Sequence, residues 1–251
     1  MTDDQQGTAG TAAAWNAEYS GGRYAGEPAV EFTGDIVAAA RAAGVSGSPG
    51  LYVGCGNGRN YVPLVTAGLD LLGLDISPVA LRQLAARVPE YRDRLVHGSL
   101  SSLAPGVTYG LVIGIQVFQH GNREQAHDLI ETALNLVAPA GLFAVRVNAV
   151  GTDVEHEHEV TERHRDGSYS VLYTAGPKAG LTVHFWAASE LHSVISGKLP
   201  ASVLPLRPQA TWRQPAGRGL WMQWEGIYAR SASPRKACST SATARDVATS
   251  R

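Results

Sequence analysis

The chain has 251 residues, enough for one substantial core, and one domain is the default reading. Hydrophobic residues at 44% and charged residues at 17% describe a soluble globular protein and exclude the disordered, fibrous and membrane-embedded classes. A formal net charge of -1 offers no basic footprint for nucleic acid, so neither a nucleic-acid nor a membrane partner is expected.

In chain order, residues 1–14 are small and polar, and 231–251 are rich in Ser, Thr and Ala; both ends are expected to be disordered around a single domain at 15–230. "FTGDIVAAARAAGV" predicts a helix with Thr33 as N-cap, Ile36, Val37 and Ala40 on one face, and Gly44 as the stop. "LYVG" predicts a buried strand, followed by a helix from about Arg59. "LDLLGLD" predicts a second strand ending at Asp75, and "SPVALRQLAARV" a helix with Ser77 as N-cap and Pro78 in its first position. "RLVHG" and "YGLVIGI" read as the third and fourth strands. "REQAHDLIETALNLV" then places Ala126, Leu129, Ile130, Ala133, Leu134 and Val137 at helical spacing, and "GLFAVRVNA" is the fifth strand.

After Asn148 the period is lost for roughly twenty residues before "SYSVLY" and "LTVHFW" suggest short strands. The stretch at about 150–186 reads as an insertion over the sheet edge. "AASELHSVIS" predicts another helix, and the remainder to Arg230 two closing strands joined through "QPAGRG". Strands alternating with helices predict an α/β fold, a doubly wound parallel sheet with helices on both faces. Cys55 and Cys238 are placed for no disulfide framework, and the acidic, polar start contains no secretory pattern, so a cytoplasmic protein is expected.

The informative stretch is "LYVGCGNGRNYVPL". Ligands of open parallel sheets sit beyond the C-terminal ends of strands, and Gly54, Gly56 and Gly58 there would let backbone amides approach one closely. A dinucleotide fingerprint requires GxGxxG, but its third glycine position falls on Arg59. The spacing is GxGxG, with Asp75 about seventeen residues beyond Gly58, and it resembles the class I methyltransferases that use S-adenosylmethionine.

That resemblance covers roughly residues 15–230 and implies a Rossmann-like doubly wound sheet, mostly parallel with an antiparallel closing strand. It places the glycine loop under the methionine portion of the cofactor and Asp75 on both ribose hydroxyls, a role suited to a carboxylate that only accepts. "RLVHGSL" resembles the segment beside the adenine, "YGLVIGIQVFQH" the strand and turn framing the methionine group, and "LNLVAPAGLFAV" the turn into the fifth strand. The implied cofactor contacts are Gly54, Cys55, Gly56, Asn57, Gly58, Asn60, Asp75, Ile76, Ser99, Leu100, Ile115 and Gln116. "CGNGRNYVPL" is similar to the tellurite-resistance and thiopurine type of small-molecule methyltransferase, where an aromatic N-terminal segment, here Trp15, Tyr19 and Tyr24, closes over the cofactor. The chain departs from many relatives at Tyr52, Ser99 and Gly110, where they carry acidic residues.

His120 follows the fourth strand near the implied methyl-transfer zone and has two readings, a general base or a structural ring. Cys55 is a packing residue within the loop. "HEHEVTERH" matches no zinc spacing, so no metal is expected. Arg146 and Asn148 alternate at the end of the fifth strand; Arg146 would pair with a substrate carboxylate or with the acidic insertion. Trp186 is a further substrate-site candidate, and Trp212, Trp221 and Trp224 read as core or pocket wall.

The expected function is methyl transfer to an O, N or S atom of a small molecule, with the insertion and the Trp15–Tyr24 segment enclosing the acceptor. "GIQVFQHG" lacks the "NPPY" type sequence of the enzymes that methylate amino groups of DNA bases. Ala, Gly and Arg usage resembles a high-GC bacterial protein, in which such enzymes tailor secondary metabolites. A nicotinamide oxidoreductase and a non-catalytic domain binding the same cofactor are the alternatives.

Overall fold

β1 (Gly50–Val53) is buried at every position and pairs in parallel with β2 (Leu71–Asp75) on one side and β4 (Tyr109–Ile115) on the other. β3 (Leu95–His97) extends the sheet beyond β2, and β5 (Val137–Asn148) beyond β4, again in parallel. The hairpin of β9 (Ala201–Trp212) and β10 (Leu220–Ala229) closes the sheet through β10, antiparallel to both β5 and β9. The strand order is β3-β2-β1-β4-β5-β10-β9, the mostly parallel, Rossmann-like arrangement with an antiparallel strand near the closing edge. The order reverses between β1 and β4, which opens a crevice beyond their C-terminal ends. These coordinates are a computed structural model that describes residues 3–214 and 217–232. All but the first two residues of the tail expected to be disordered lie outside it.

Two apolar layers cover the sheet because strand residues alternate in direction. On one face Tyr52, Leu111 and Ile113 pack with Phe32 and Ile36 of α2 (Phe32–Ala42), Tyr61 and Leu64 of α3 (Tyr61–Thr66), and Leu81 and Leu84 of α4 (Pro78–Arg87). On the other face Leu51, Val53, Val112, Phe143 and Val145 pack with Ile130 and Leu134 of α5 (Arg123–Asn135) and Leu191 and Ile195 of α6 (Ala188–Ser196).

The start of α4 follows its sequence signal: Ser77 Oγ accepts the Ala80 amide at 3.1 Å, with Pro78 in the first turn. The start of α2 does not. The helix begins at Phe32 with Glu31 in the cap position, and Thr33 Oγ1 instead donates to the Val30 carbonyl at 2.8 Å. Gly44, at φ +70°, ends that segment as expected.

Two regions differ from the sequence expectation. α1 (Asp3–Ser20) carries helix back through most of the stretch read as disordered, since the alanine-rich segment continues a helix anchored at its C-terminal end. The insertion contains a separate antiparallel sheet of β6 (His158–Arg163), β7 (Tyr169–Tyr173) and β8 (Thr182–Phe185). β6 lies in the stretch where the period is lost: most of its side chains are exposed, so no apolar alternation marks it. Among the described residues no helix is long and apolar enough to cross a membrane, and no group of three His, Cys, Asp or Glu is placed to hold a metal ion.

Candidate active site

The crevice at the ends of β1, β2 and β4 is a cavity of about 960 Å³, within the range of small-molecule sites. Every residue expected to touch the cofactor lines it, from Trp15, Tyr19 and Tyr24 to Asp75, Ile76, Ser99, Leu100, Ile115 and Gln116, except Gly58.

Gly58 faces inward. At φ +88° its backbone is in the left-handed region, and a Cβ there would run into Leu84 and Val62, so its smallness serves the packing of α3 on α4. Gly56, at φ +55°, lies under the Tyr19 hydroxyl, and the nearest neighbour of Gly54 is Val117. The N-terminal segment thus packs directly on the loop, as Leu84 of α4 does at Gly58. Gly56→Ala is expected to destabilise the protein by about 2 kcal/mol through positive φ and the Tyr19 clash, and to displace α1. Chemical denaturation measures the first effect, and tryptophan fluorescence of Trp15 the second.

α1 is held across the loop and the start of α4. Asn16 Oδ1 accepts from Ser77 Oγ at 2.7 Å, Gln83 Nε2 donates to the Tyr19 carbonyl at 3.0 Å, and Asn57 Nδ2 donates to the Arg23 carbonyl at 2.9 Å. Tyr24 sits at φ +60° with the guanidinium groups of Arg23 and Arg59 over its ring, at 4.6 and 5.2 Å from the centroid. Asn60 Oδ1 accepts the Val30 amide at 3.0 Å and thereby holds the segment leading into α2 against the loop.

Asp75 ends β2 and is 7% exposed. Its Oδ2 accepts the Gly56 amide at 2.7 Å and its Oδ1 the Ser77 amide at 2.8 Å. Burial pushes its carboxyl above the usual range, and the Ser77 and Gly56 amides pull it back in part. Burial and then the neighbouring Asp75 raise the Cys55 thiol well above its ordinary value, consistent with a packing residue.

Beyond the loop, Gln116 caps β4 at φ +63°, a strained conformation for a residue other than glycine. Its side-chain Oε1 accepts from Gln119 Nε2 at 3.1 Å, while its buried Nε2 has no partner. His120 lines the cavity, with the Trp15 ring edge-on at 5.3 Å. Burial and then the Lys178 charge lower its pKa to about 4, so the ring is neutral at physiological pH, and Nδ1 has no partner.

The predicted substrate residues separate. Arg146 lines the cavity, but its fork is already engaged by β10: Nε donates to Gln223 Oε1 and Nη1 to Glu225 Oε2, each at 3.0 Å. It is therefore neither a free clamp for a carboxylate nor paired with the acidic insertion. Asn148 turns away to accept Trp221 Nε1 at 2.9 Å, and Trp186 is wholly buried, stacked on His127 with its Nε1 donating to the Phe118 carbonyl. Neither lines the cavity. Trp212 is 70% exposed on the edge strand β9, where nothing covers it, rather than in core or pocket wall. The residues missed are the polar ones of the closing hairpin, Gln209, Gln223 and Glu225, which form the far wall together with Trp221, already read as core or pocket wall. Their signal was alternation: polar side chains at 223 and 225 interrupt an apolar strand at a spacing of two.

Residues 51–143, which contain the glycine loop, Asp75 and β4, match a family model described as a methyltransferase domain. No curated protein matches the sequence. Among solved structures, the chain is similar to an S-adenosylmethionine-dependent methyltransferase of Clostridium acetobutylicum (TM-score 0.54, 11% identity, 80% of this chain and 91% of that one). It is similar to CalS10, an amino pentose methyltransferase of Micromonospora echinaspora (0.53, 16%, 85% and 96%). It is also similar to the N-methyltransferase NodS of Bradyrhizobium japonicum (0.51, 15%, 80% and 86%). At these identities the structures show the fold, and the family model the domain within it. The chain thus carries a methyltransferase domain, at residues 51–143, on a class I fold.

Proposed function

We propose that the cavity holds S-adenosylmethionine against the glycine loop and Asp75 and that the chain methylates a nitrogen atom of a small molecule bound between His120 and the closing hairpin. The observation that carries this is the juxtaposition of the Gly54–Asn57 bend, the Asp75 carboxylate and His120 on one cavity.

The residues present suit the cofactor. Each Asp75 oxygen accepts one backbone amide, and a carboxylate has about four acceptor sites, so two remain for a pair of ribose hydroxyls. The orphaned Gln116 Nε2 is a donor suited to the methionyl carboxylate. When bound, S-adenosylmethionine supplies a methyl group already activated by its sulfonium. The chain's own residues then position and protect. Trp15 and Tyr19 cover the loop and exclude water, and the His120 ring, neutral and so not repelling the sulfonium, orients the amine acceptor by accepting a hydrogen bond from its N–H. The aromatic segment over the loop also supports the likeness to the tellurite-resistance and thiopurine type. An amine acceptor, such as one on a secondary metabolite, agrees with CalS10, described as an amino pentose methyltransferase in calicheamicin biosynthesis, and with the N-methyltransferase NodS.

Calorimetric titration with S-adenosylmethionine, followed by an acceptor panel scored for S-adenosylhomocysteine, tests the reading. Protection by a nicotinamide cofactor instead of the adenosyl compounds would replace it with an oxidoreductase. His120→Ala is expected to lower kcat about a hundredfold while leaving the cofactor Kd unchanged. In the wild type, kcat/KM is expected to show no inflection from His120 between about pH 5 and pH 9, because its proton is lost near pH 4.

A further inference from the structure

The far wall of the cavity has a donor that no described residue uses. Trp221, Gln223 and Glu225 alternate along β10, share one face, and all line the cavity. Gln223 is 1% exposed, and its Oε1 accepts two N–H groups from Arg146, with Nε at 3.0 Å. A guanidinium only donates, so the amide cannot turn over. Its Nε2 must point away from Arg146, and it has no partner. A buried donor without an acceptor is costly to maintain.

The surrounding charges are already satisfied. Glu225 takes Arg146 at 3.0 Å and Arg207 Nε at 2.9 Å, and Arg207 also reaches Asp35. Two guanidinium groups thus face two carboxylates, leaving no net charge to attract an anion. What this wall suits is an uncharged oxygen.

Resting on the function proposed above, we infer that Gln223 is a specificity-determining residue that donates from Nε2 to a hydroxyl or carbonyl oxygen of the methyl acceptor, with Arg146 as the positioning residue that fixes the amide. An acceptor carrying oxygen substituents is selected over an all-carbon amine of similar size.

The test uses full-length protein saturated with S-adenosylhomocysteine and two probes, D-glucosamine and cyclohexylamine, titrated calorimetrically. The wild type is expected to prefer glucosamine by about tenfold, as one buried hydrogen bond supplies. Gln223→Leu and Gln223→Glu are expected to reduce that preference to within twofold. The glutamate variant retains the shape and the contact with Arg146 but exchanges the donor for an acceptor and adds a negative charge, which acts on both amine probes alike, while the leucine variant removes the donor without adding charge. Arg146→Lys retains a positive charge against Glu225 without gripping the amide, and is expected to lower the preference to about threefold while S-adenosylhomocysteine binding is retained. Retained S-adenosylhomocysteine binding shows that a variant is folded. A wild type that binds the adenosyl compound but takes both probes alike, or neither, overturns this inference alone. So does a preference that survives in both Gln223 variants. A wild type that does not bind S-adenosylhomocysteine overturns the proposed function and this inference together.

Discussion

Replacing Asp75 by alanine is expected to weaken S-adenosylhomocysteine binding about a thousandfold, from two hydrogen bonds to a charged acceptor at about 1.5–3 kcal/mol each. The carboxylate is nearly buried and is held in place by the Gly56 and Ser77 amides, so the free protein already positions it before any ligand arrives. Its loss also leaves those two amides without their acceptor, and a drop in folding stability of about 1–3 kcal/mol should accompany the binding defect. Asp75→Asn keeps one acceptor oxygen but turns an NH2 toward one of the two amides. It should fall between wild type and the alanine variant in both measurements. Calorimetric titration alongside urea denaturation separates the two effects, and an alanine variant that binds within threefold of wild type would remove Asp75 from the site.

The second large effect is expected outside the cavity lining, at Glu190. This carboxylate is 5% exposed and collects His127 Nε2 and Arg123 Nε at 2.8 Å each, His184 Nε2 at 3.2 Å, and the Ala187 amide at 3.3 Å. His184 is in turn in contact with Ser170 Oγ at 3.0 Å, so the cluster ties the insertion sheet to α5 and α6. Removing one member of a buried ionic cluster costs about 3–5 kcal/mol because the others lose their counter-charge. Glu190→Ala should therefore lower the thermal midpoint by on the order of 10 °C. Burial alone would raise the Glu190 carboxyl, but the hydrogen bonds from His127 and His184, together with the charges of His184 and Arg123, outweigh it and hold it far below its usual range. For a carboxyl depressed in this way, the stabilisation is complete above the unfolded value of about 4.3 and is lost as pH falls below it. The gap between wild type and Glu190→Gln should accordingly be wide at neutral pH and narrow under acid, as urea titrations at both pH values would show.

Most of the sheet was readable in advance because β1, β2, β4 and the 141–145 part of β5 are buried almost throughout and appear as apolar runs, and because Ser77-Pro78 announces a helix. The site at the strand ends follows from the same topology, which is why the loop, Asp75 and His120 converge on one cavity. Long-range partners were not readable. Arg146 is answered by Glu225, 79 residues later, and Gly56 by Tyr19 on a helix whose docking depends on single polar contacts. Strand alternation put Arg146 and Asn148 on one side, but the Trp221 indole turns the asparagine aside. β6 left no trace because most of its side chains are exposed, and pairing with β7 defines it.

The seating of α1 ties ligand affinity to a stretch of chain that contributes no chemistry. The helix supplies part of the cavity wall through Thr11, Trp15 and Tyr19; hydrogen bonds at Asn16 and Tyr19 fasten it to Ser77 and Gln83, and Asn57 of the loop holds the Arg23 carbonyl just beyond it. Thermodynamic reciprocity then requires that a ligand touching this wall steady the helix by the same factor by which a steadier helix retains the ligand. A change as remote from the sulfonium as Asn16 or Gln83 is thereby a lever on affinity.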